Sequence, residues 1–318
     1  MSPANPTVFI MGLRRSGKSS IRKVVFYDMQ PLDTLYIEST STTTSVQLES
    51  FTDITFQELP GQLNMFEPTP ETDRLFQEVD ALIYVIDAQD EYLHALANLQ
   101  GILEYVAEHR PGLQVEVFIH KVDGLSDDFR LDTRRDIEQR VNDELIDADI
   151  ENQVSLSFHL TSIFDHSIYE ALSLVIQKLT PELPQLENML NLLCQHSGID
   201  KAFLFDVRSK MYLATDSSPV DIQTYEVCSD FIDVAVDLDN LYDSSGPEAG
   251  RPMLCTSILN NGVVLYLRQM IRGLSLVYLM RRESAQKLAL VEYNTDLVAE
   301  GLEKLYAAKR KSRIPAAS

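Results

Sequence analysis

The chain has 318 residues, with 27 Lys and Arg against 48 Asp and Glu, a formal net charge of −21 at pH 7. That balance excludes a surface built to neutralise a nucleic-acid backbone or to be held on anionic lipid by charge alone. With 45% hydrophobic and 24% charged residues, the composition is that of a globular chain with a large core, and the length fits about two domains.

In chain order, the first half alternates short β-rich apolar runs with helical patterns. Strand-like runs cover 8–11, 54–59, 81–86, 115–119 and 156–160; helical patterns cover 21–27, 93–106, 137–146 and 168–179. Such alternation predicts an α/β fold, a mostly parallel sheet with helices on both faces. Residues 45–51 and 54–59, separated by Thr52 and Asp53, can instead pair as an antiparallel hairpin at one edge.

The run Thr180-Pro181-Glu182-Leu183-Pro184 interrupts the pattern, because two prolines three apart cannot lie inside one regular helix. A second domain is expected after it. It reads as a helix over 186–194, strands over 202–206 and 211–214, a helix over 225–238, and a loop over 243–250. Strands over 253–259, 263–267 and 274–279 follow, with Asn260-Asn261-Gly262 as a hairpin turn, and then a closing helix over 284–306. This order is that of an α+β domain. The expected division is 1–183, 184–308 and a flexible basic tail, 309–318.

Cys194, Cys228 and Cys255 are odd in number, far apart and never in a Cys-x-x-Cys pair, which argues against a disulfide framework or a thiolate zinc site and for a reducing compartment. The histidines show no metal spacing. No apolar run reaches the roughly 20 residues of a membrane span, and no secretory signal, myristoylation start or prenylation box is expected. No direct membrane anchor is therefore expected. The four cations of the tail, worth at most ~1 kcal/mol each on anionic lipid, are expected to be solvated.

Gly12-Leu13-Arg14-Arg15-Ser16-Gly17-Lys18-Ser19 satisfies the G-x-x-x-x-G-K-S/T phosphate-binding pattern between a strand-like and a helical run. Glycines let successive backbone N–H groups turn toward phosphates, and the helix N terminus adds its positive dipole end. Lys18 can bridge β- and γ-phosphates, and the Ser19 hydroxyl can ligate Mg²⁺. Arg14, Arg15, Ser16, Gly17, Lys18, Ser19 and Ser20 make up the phosphate-binding set. Arg14 and Arg15 are expected to face solvent or local acids rather than to serve as an arginine finger in cis.

Glu58-Leu59-Pro60-Gly61-Gln62 ends the next strand. There a carboxylate can hold Mg²⁺ through water, the Gly61 N–H can sense a γ-phosphate, and Gln62 can orient the attacking water. His120-Lys121-Val122-Asp123 follows the strand over 115–119. The Asp123 carboxylate can accept together from N1–H and N2–H₂ of guanine, whereas adenine presents an acceptor at N1. Thr161-Ser162-Ile163, again after a strand, would bring the Ser162 N–H to guanine O6. All four segments sit at strand ends, where open α/β sheets bind ligands.

The ordered set resembles the Ras-like small GTPases. Its spelling, with Leu59-Pro60-Gly61-Gln62, the run 81–90, Ile119-His120-Lys121-Val122-Asp123-Gly124-Leu125-Ser126 and the run 161–168, is similar to the Rag (Gtr) GTPases of the C/D type. The runs 201–207 and 214–221 look like that family's carboxy-terminal roadblock (longin-like) domain. The resemblance implies a Ras-like P-loop G domain followed by the roadblock domain, GTP/GDP and Mg²⁺ as ligands, and slow GTP hydrolysis with Gln62 and Lys18 as catalytic residues. It implies Thr40 as the switch threonine on the metal with Ser19 and Glu58. It further implies a heterodimer with an A/B-type Rag subunit through the roadblock domains, and docking on a Ragulator or EGO scaffold at the lysosomal or vacuolar membrane. Signalling of amino-acid sufficiency to the TOR kinase complex, under GAP and exchange regulators, completes the expectation.

Two residues depart from the common Ras-like pattern. Glu58 stands where Asp is usual and reaches one methylene further toward the metal. His120 replaces the usual Asn, which is expected to remove an amide brace on the phosphate loop. A different class of function stays open on the residues alone: a scaffold whose nucleotide is structural and which acts only through its second domain.

Overall fold

Two sheets organise the chain in the computed structural model, which describes residues 5–38, 40, 42–61, 76–242 and 253–313. By contacts the chain divides into one unit of Asn5–Leu48 with Asp53–Val175 and another of Ile176–Ser318 with Glu49–Thr52.

The first sheet holds β1 (Thr7–Met11), β2 (Thr44–Leu48), β3 (Ile54–Glu58), β4 (Ala81–Asp87), β5 (Gln114–His120) and β6 (Ser155–Thr161), in the order β2-β3-β1-β4-β5-β6. Every pairing is parallel except β2 with β3, the antiparallel hairpin at the edge. β4 is apolar up to Asp87, β5 carries an apolar centre between Gln114 and His120 with Glu116 buried in it, and both strands are buried on both faces, as central strands of a two-faced sheet must be. The described helices that follow its strands are α1 (Lys18–Tyr27), α2 (Leu93–His109), α3 (Asp127–Asp147) and α4 (Ser167–Lys178). On α2, Leu96, Leu99, Leu103 and Val106 recur at helical spacing and are buried in one cluster with Leu82, Tyr84, Val115 and Val117. Each such side chain contributes about 1.5–3 kcal/mol.

This topology positions the site. β1 sits where the strand order reverses, with β3 on one side and β4 on the other, so a crevice opens at its carboxyl end. Register pairs Ile10 with Glu58 and aligns Asp87, His120 and Thr161 across three strands. The strand ends therefore deliver five loops to one edge.

The second unit carries β7 (Ile199–Asp206), β8 (Tyr212–Thr215), β9 (Leu254–Ile258), β10 (Val263–Gln269) and β11 (Leu274–Arg281), antiparallel in the order β8-β7-β11-β10-β9. Its helices are α5 (Leu183–Ser197), α6 (Ile222–Tyr242) and α7 (Leu288–Arg313). Pro184 lies in the first turn of α5, where its missing N–H costs nothing. The closing helix is not the single element expected over 284–306. A four-residue helical turn, Arg282–Ala285, precedes α7, which continues to Arg313. Lys309, at the start of the segment read as a solvated tail, is buried and ion-paired with Glu182 at 2.9 Å. That contact draws the last turns of α7 onto the unit.

Candidate functional site

The phosphate loop is shaped by two backbone positions that only glycine fills easily. Gly12 has φ 136°, and a Cβ there would stand 2.3 Å from the Val85 carbonyl oxygen. Gly17 has φ 106°, and its Cβ would stand 2.5 Å from the His120 ring. α1 starts directly after Gly17 with no side chain capping it, so its first N–H groups and the positive end of its dipole are offered to an anion. Ser16 Oγ is buried without a hydrogen-bond partner among the described residues, a donor placed for an acceptor still to arrive. Lys18 Nζ donates to the Gly12 and Leu13 carbonyls, each at 2.8 Å, and so arches over the loop. Burial lowers its pKa to about 8, against the opposing pull of Glu58. An incoming phosphate would restore full charge on this ammonium. Arg14 and Arg15 are exposed on the loop, and Ser20 is partly buried on α1.

The residues read as metal ligands converge. Ser19 Oγ and Thr40 Oγ1 lie 2.8 Å apart, and Ser19 Oγ donates to Glu58 Oε1. Neighbouring ligands of an octahedral Mg²⁺, each ~2.1 Å from the metal, are about 3 Å apart. The hydroxyl pair therefore fits that ion. Among the described residues no group of three or more His, Cys, Asp or Glu could hold a metal, so Mg²⁺ here would rely on hydroxyls, phosphate oxygens and water, its usual company. Gly61 is pressed against the loop: a Cβ on it would meet the Arg14 backbone nitrogen at 2.7 Å. Gln62 lies outside the described residues.

The base-reading loops are tied to the phosphate loop by side chains. Lys121, with φ 63°, donates from Nζ to the Arg15 carbonyl at 2.9 Å and to Asp87 Oδ2. Gln89 closes this arrangement, its Nε2 donating to the Lys121 carbonyl at 2.7 Å and its N–H to Asp87 Oδ1 at 2.9 Å. Asp123 Oδ1 accepts from the Ser162 hydroxyl at 2.7 Å, which fixes the carboxylate where a base edge would arrive.

One expectation needs correction. The Ser162 N–H is not free for a base, because it donates to Ser167 Oγ at 2.8 Å. The Ser162 hydroxyl that holds Asp123 is its contribution to the site. His120 offers no amide to the phosphate loop, but its ring packs against it. His120 is 1% exposed, its Nδ1 lies 3.0 Å from Thr161 Oγ1, and its ring fills the space over Gly17. Burial, aided by the neighbouring Lys121 and opposed by Asp123 and the Thr161 hydrogen bond, lowers its pKa to about 4. A neutral imidazole thus does the bracing.

Besides Gln89, three contributors have no role assigned from the sequence. Asp87 locks Lys121, Thr161 orients His120, and Arg22 pairs with Glu58 at 2.8 Å. Their signal is positional: Asp87 and Thr161 end their strands at the site edge, and Arg22 is one turn along α1 from Lys18.

Residues 7–232 match the family model described as the Gtr1/RagA G protein conserved region. The chain is 53% identical to GTP-binding protein GTR2 of Saccharomyces cerevisiae, over 96% of this chain and 94% of that one. It is 50% identical to GTP-binding protein gtr2 of Schizosaccharomyces pombe (95% and 98% covered) and 48% identical to Ras-related GTP-binding protein C of Homo sapiens (95% and 77% covered). The G-x-x-x-x-G-K-S loop at the carboxyl edge of a mostly parallel sheet, with the hydroxyl pair of Ser19 and Thr40 and the loops after β5 and β6 beside it, defines a P-loop G domain. The chain belongs to the Gtr1/RagA family of G proteins, within it to the Rag C/D-type GTPases.

Proposed function

We propose that this Rag GTPase subunit is a guanine-nucleotide switch that binds GTP and GDP with Mg²⁺ and hydrolyses GTP slowly. The observation that carries the reading is the Asp123 carboxylate, held by the Ser162 hydroxyl beside a Lys121 that is itself tied to the phosphate loop. A fixed carboxylate recognises the paired donors of guanine and repels the N1 acceptor of adenine. The Ile163 N–H, next after the occupied Ser162 N–H, is the donor for guanine O6. The phosphates rest on the N–H groups of residues 14–20, with Lys18 charged against them. When bound, Mg²⁺ screens the phosphate oxygens; Ser19 and Thr40 would hold it directly and Glu58 through water. Gln62 orients the attacking water in this reading, and the transition-state charge awaits a group from a GAP, which is why unaided turnover is slow.

The second unit supplies the partner contact, a heterodimer with an A/B-type Rag subunit. Relatives of both types support this, including Ras-related GTP-binding protein A of Dictyostelium discoideum at 24% identity over 71% of this chain. So does the apolar character of a sheet edge unpaired among the described residues: on β9, Leu254 and Ile258 are 59% and 62% exposed. Through that heterodimer, docked on a Ragulator- or EGO-type scaffold at the lysosomal or vacuolar membrane, the nucleotide state relays amino-acid sufficiency to the TOR kinase complex.

Asp123→Asn tests the base assignment. The variant should exchange guanosine for xanthosine diphosphate, because xanthine presents an acceptor where guanine presents an amino donor. Unchanged GDP affinity would refute it.

A further inference from the structure

Arg22 is the cation that the sequence reading left without a task. It follows Lys18 by four residues and Ser19 by three on α1, so the three side chains share one helix face. Its Nε donates to Glu58 Oε2 at 2.8 Å, with side-chain exposures of 10% for Arg22 and 0% for Glu58. The Tyr27 ring lies 5.7 Å from its guanidinium carbon. Glu58 is held on every side: Thr44 Oγ1 donates to Oε2 at 3.3 Å, Ser19 Oγ donates to Oε1, and Lys18 faces it electrostatically. The longer Glu side chain thus reaches the metal hydroxyls while already compensated by a buried guanidinium.

A carboxylate beside Mg²⁺ contributes mainly through its negative charge, and in a desolvated site a neighbouring fixed cation cancels much of that charge. Arg22 and Lys18 are two such cations. We propose that Arg22 is a positioning residue that stands in for part of the Mg²⁺ charge. It holds Glu58 and the end of β3 against α1, so that nucleotide retention depends only weakly on Mg²⁺. This rests on the guanine-nucleotide reading above.

The test uses the full chain loaded with mant-GDP, following release by fluorescence in millimolar Mg²⁺ and in excess EDTA. Wild type should release no more than about tenfold faster in EDTA, because Arg22 still offsets the Glu58 charge that faces the phosphates once the metal is gone. Arg22→Gln should widen the EDTA-to-Mg²⁺ ratio by at least about tenfold, and Arg22→Lys, which keeps the charge, should return it toward wild type. A purely structural arginine predicts otherwise: both variants would release faster by the same factor in both buffers, and an unchanged ratio overturns the proposal. If Arg22→Gln does not fold, the wild-type and Arg22→Lys ratios decide, since a wild-type ratio above about a hundredfold also overturns it. Failure of the wild-type chain to bind mant-GDP at all would overturn the nucleotide reading and this inference with it, whereas normal binding with an unchanged ratio overturns this inference alone.

Discussion

At the scale of single residues, His120 shows how a substitution that looks like a loss becomes a different solution. An Asn at this position would brace the phosphate loop through its amide; the imidazole does so by filling the space above Gly17 while Thr161 orients the ring. A buried neutral ring has a pH signature. Its folded pKa of about 4 lies below the ordinary 6.5, so the unfolded chain binds a proton before the folded one does. The stabilising contribution is complete above pH 6.5 and is lost as pH falls toward 4. From about pH 7 to about pH 5 the wild type should lose about 2 kcal/mol that a His120→Asn variant does not lose. Urea unfolding of both proteins at the two pH values measures it, and parallel losses would remove the histidine from the explanation. The role of His120 was not legible in the sequence, because a one-dimensional pattern shows the replaced Asn but not the empty space over a glycine.

At the scale of elements, legibility followed burial. The edge hairpin, the parallel strands and the loops at their ends were readable because apolar runs and turn residues coincide there. α3 was readable only over its last ten residues. Ile137, Val141 and Leu145 are its buried side chains, whereas its first half holds none, and its surface is joined by pairs such as Arg134 with Glu138 at 2.6 Å and Arg140 with Asp136 at 2.8 Å. Such pairs extend a helix without leaving a hydrophobic period. The split before α7 was hidden for the related reason that two helical patterns adjoin with no proline or glycine between them. The start of α1 is the element on which the site depends most. Gly17→Ala combines a left-handed φ with a close approach to His120, and should destabilise the protein by about 2–3 kcal/mol. It should also weaken mant-GDP binding. A thermal melt and a binding titration report the two effects, and an alanine variant equal to wild type in both would show that the loop relaxes freely.

For the whole molecule, the charge has a clear distribution. Residues 1–180 carry more than twice as many acidic as basic side chains, yet Arg14, Arg15, Lys18, Arg22 and Lys23 gather around one loop. An acidic body with one basic island is poorly suited to a polymeric polyanion and well suited to a single small anion that brings its own metal. The second unit adds a sheet whose edge strand β9 exposes Leu254 and Ile258. What could not be read from the chain is how tightly the loops of the first unit are joined, since Lys121 to Asp87 and Asp123 to Ser162 are contacts between segments 34 and 39 residues apart. The central claim is that these joined loops select guanine nucleotide. Displacement of bound mant-GDP by GTP, GDP and ATP tests it most directly. GTP and GDP should displace the probe while ATP should need at least about a hundredfold higher concentration, a difference of about 3 kcal/mol. Equal displacement by ATP would contradict it.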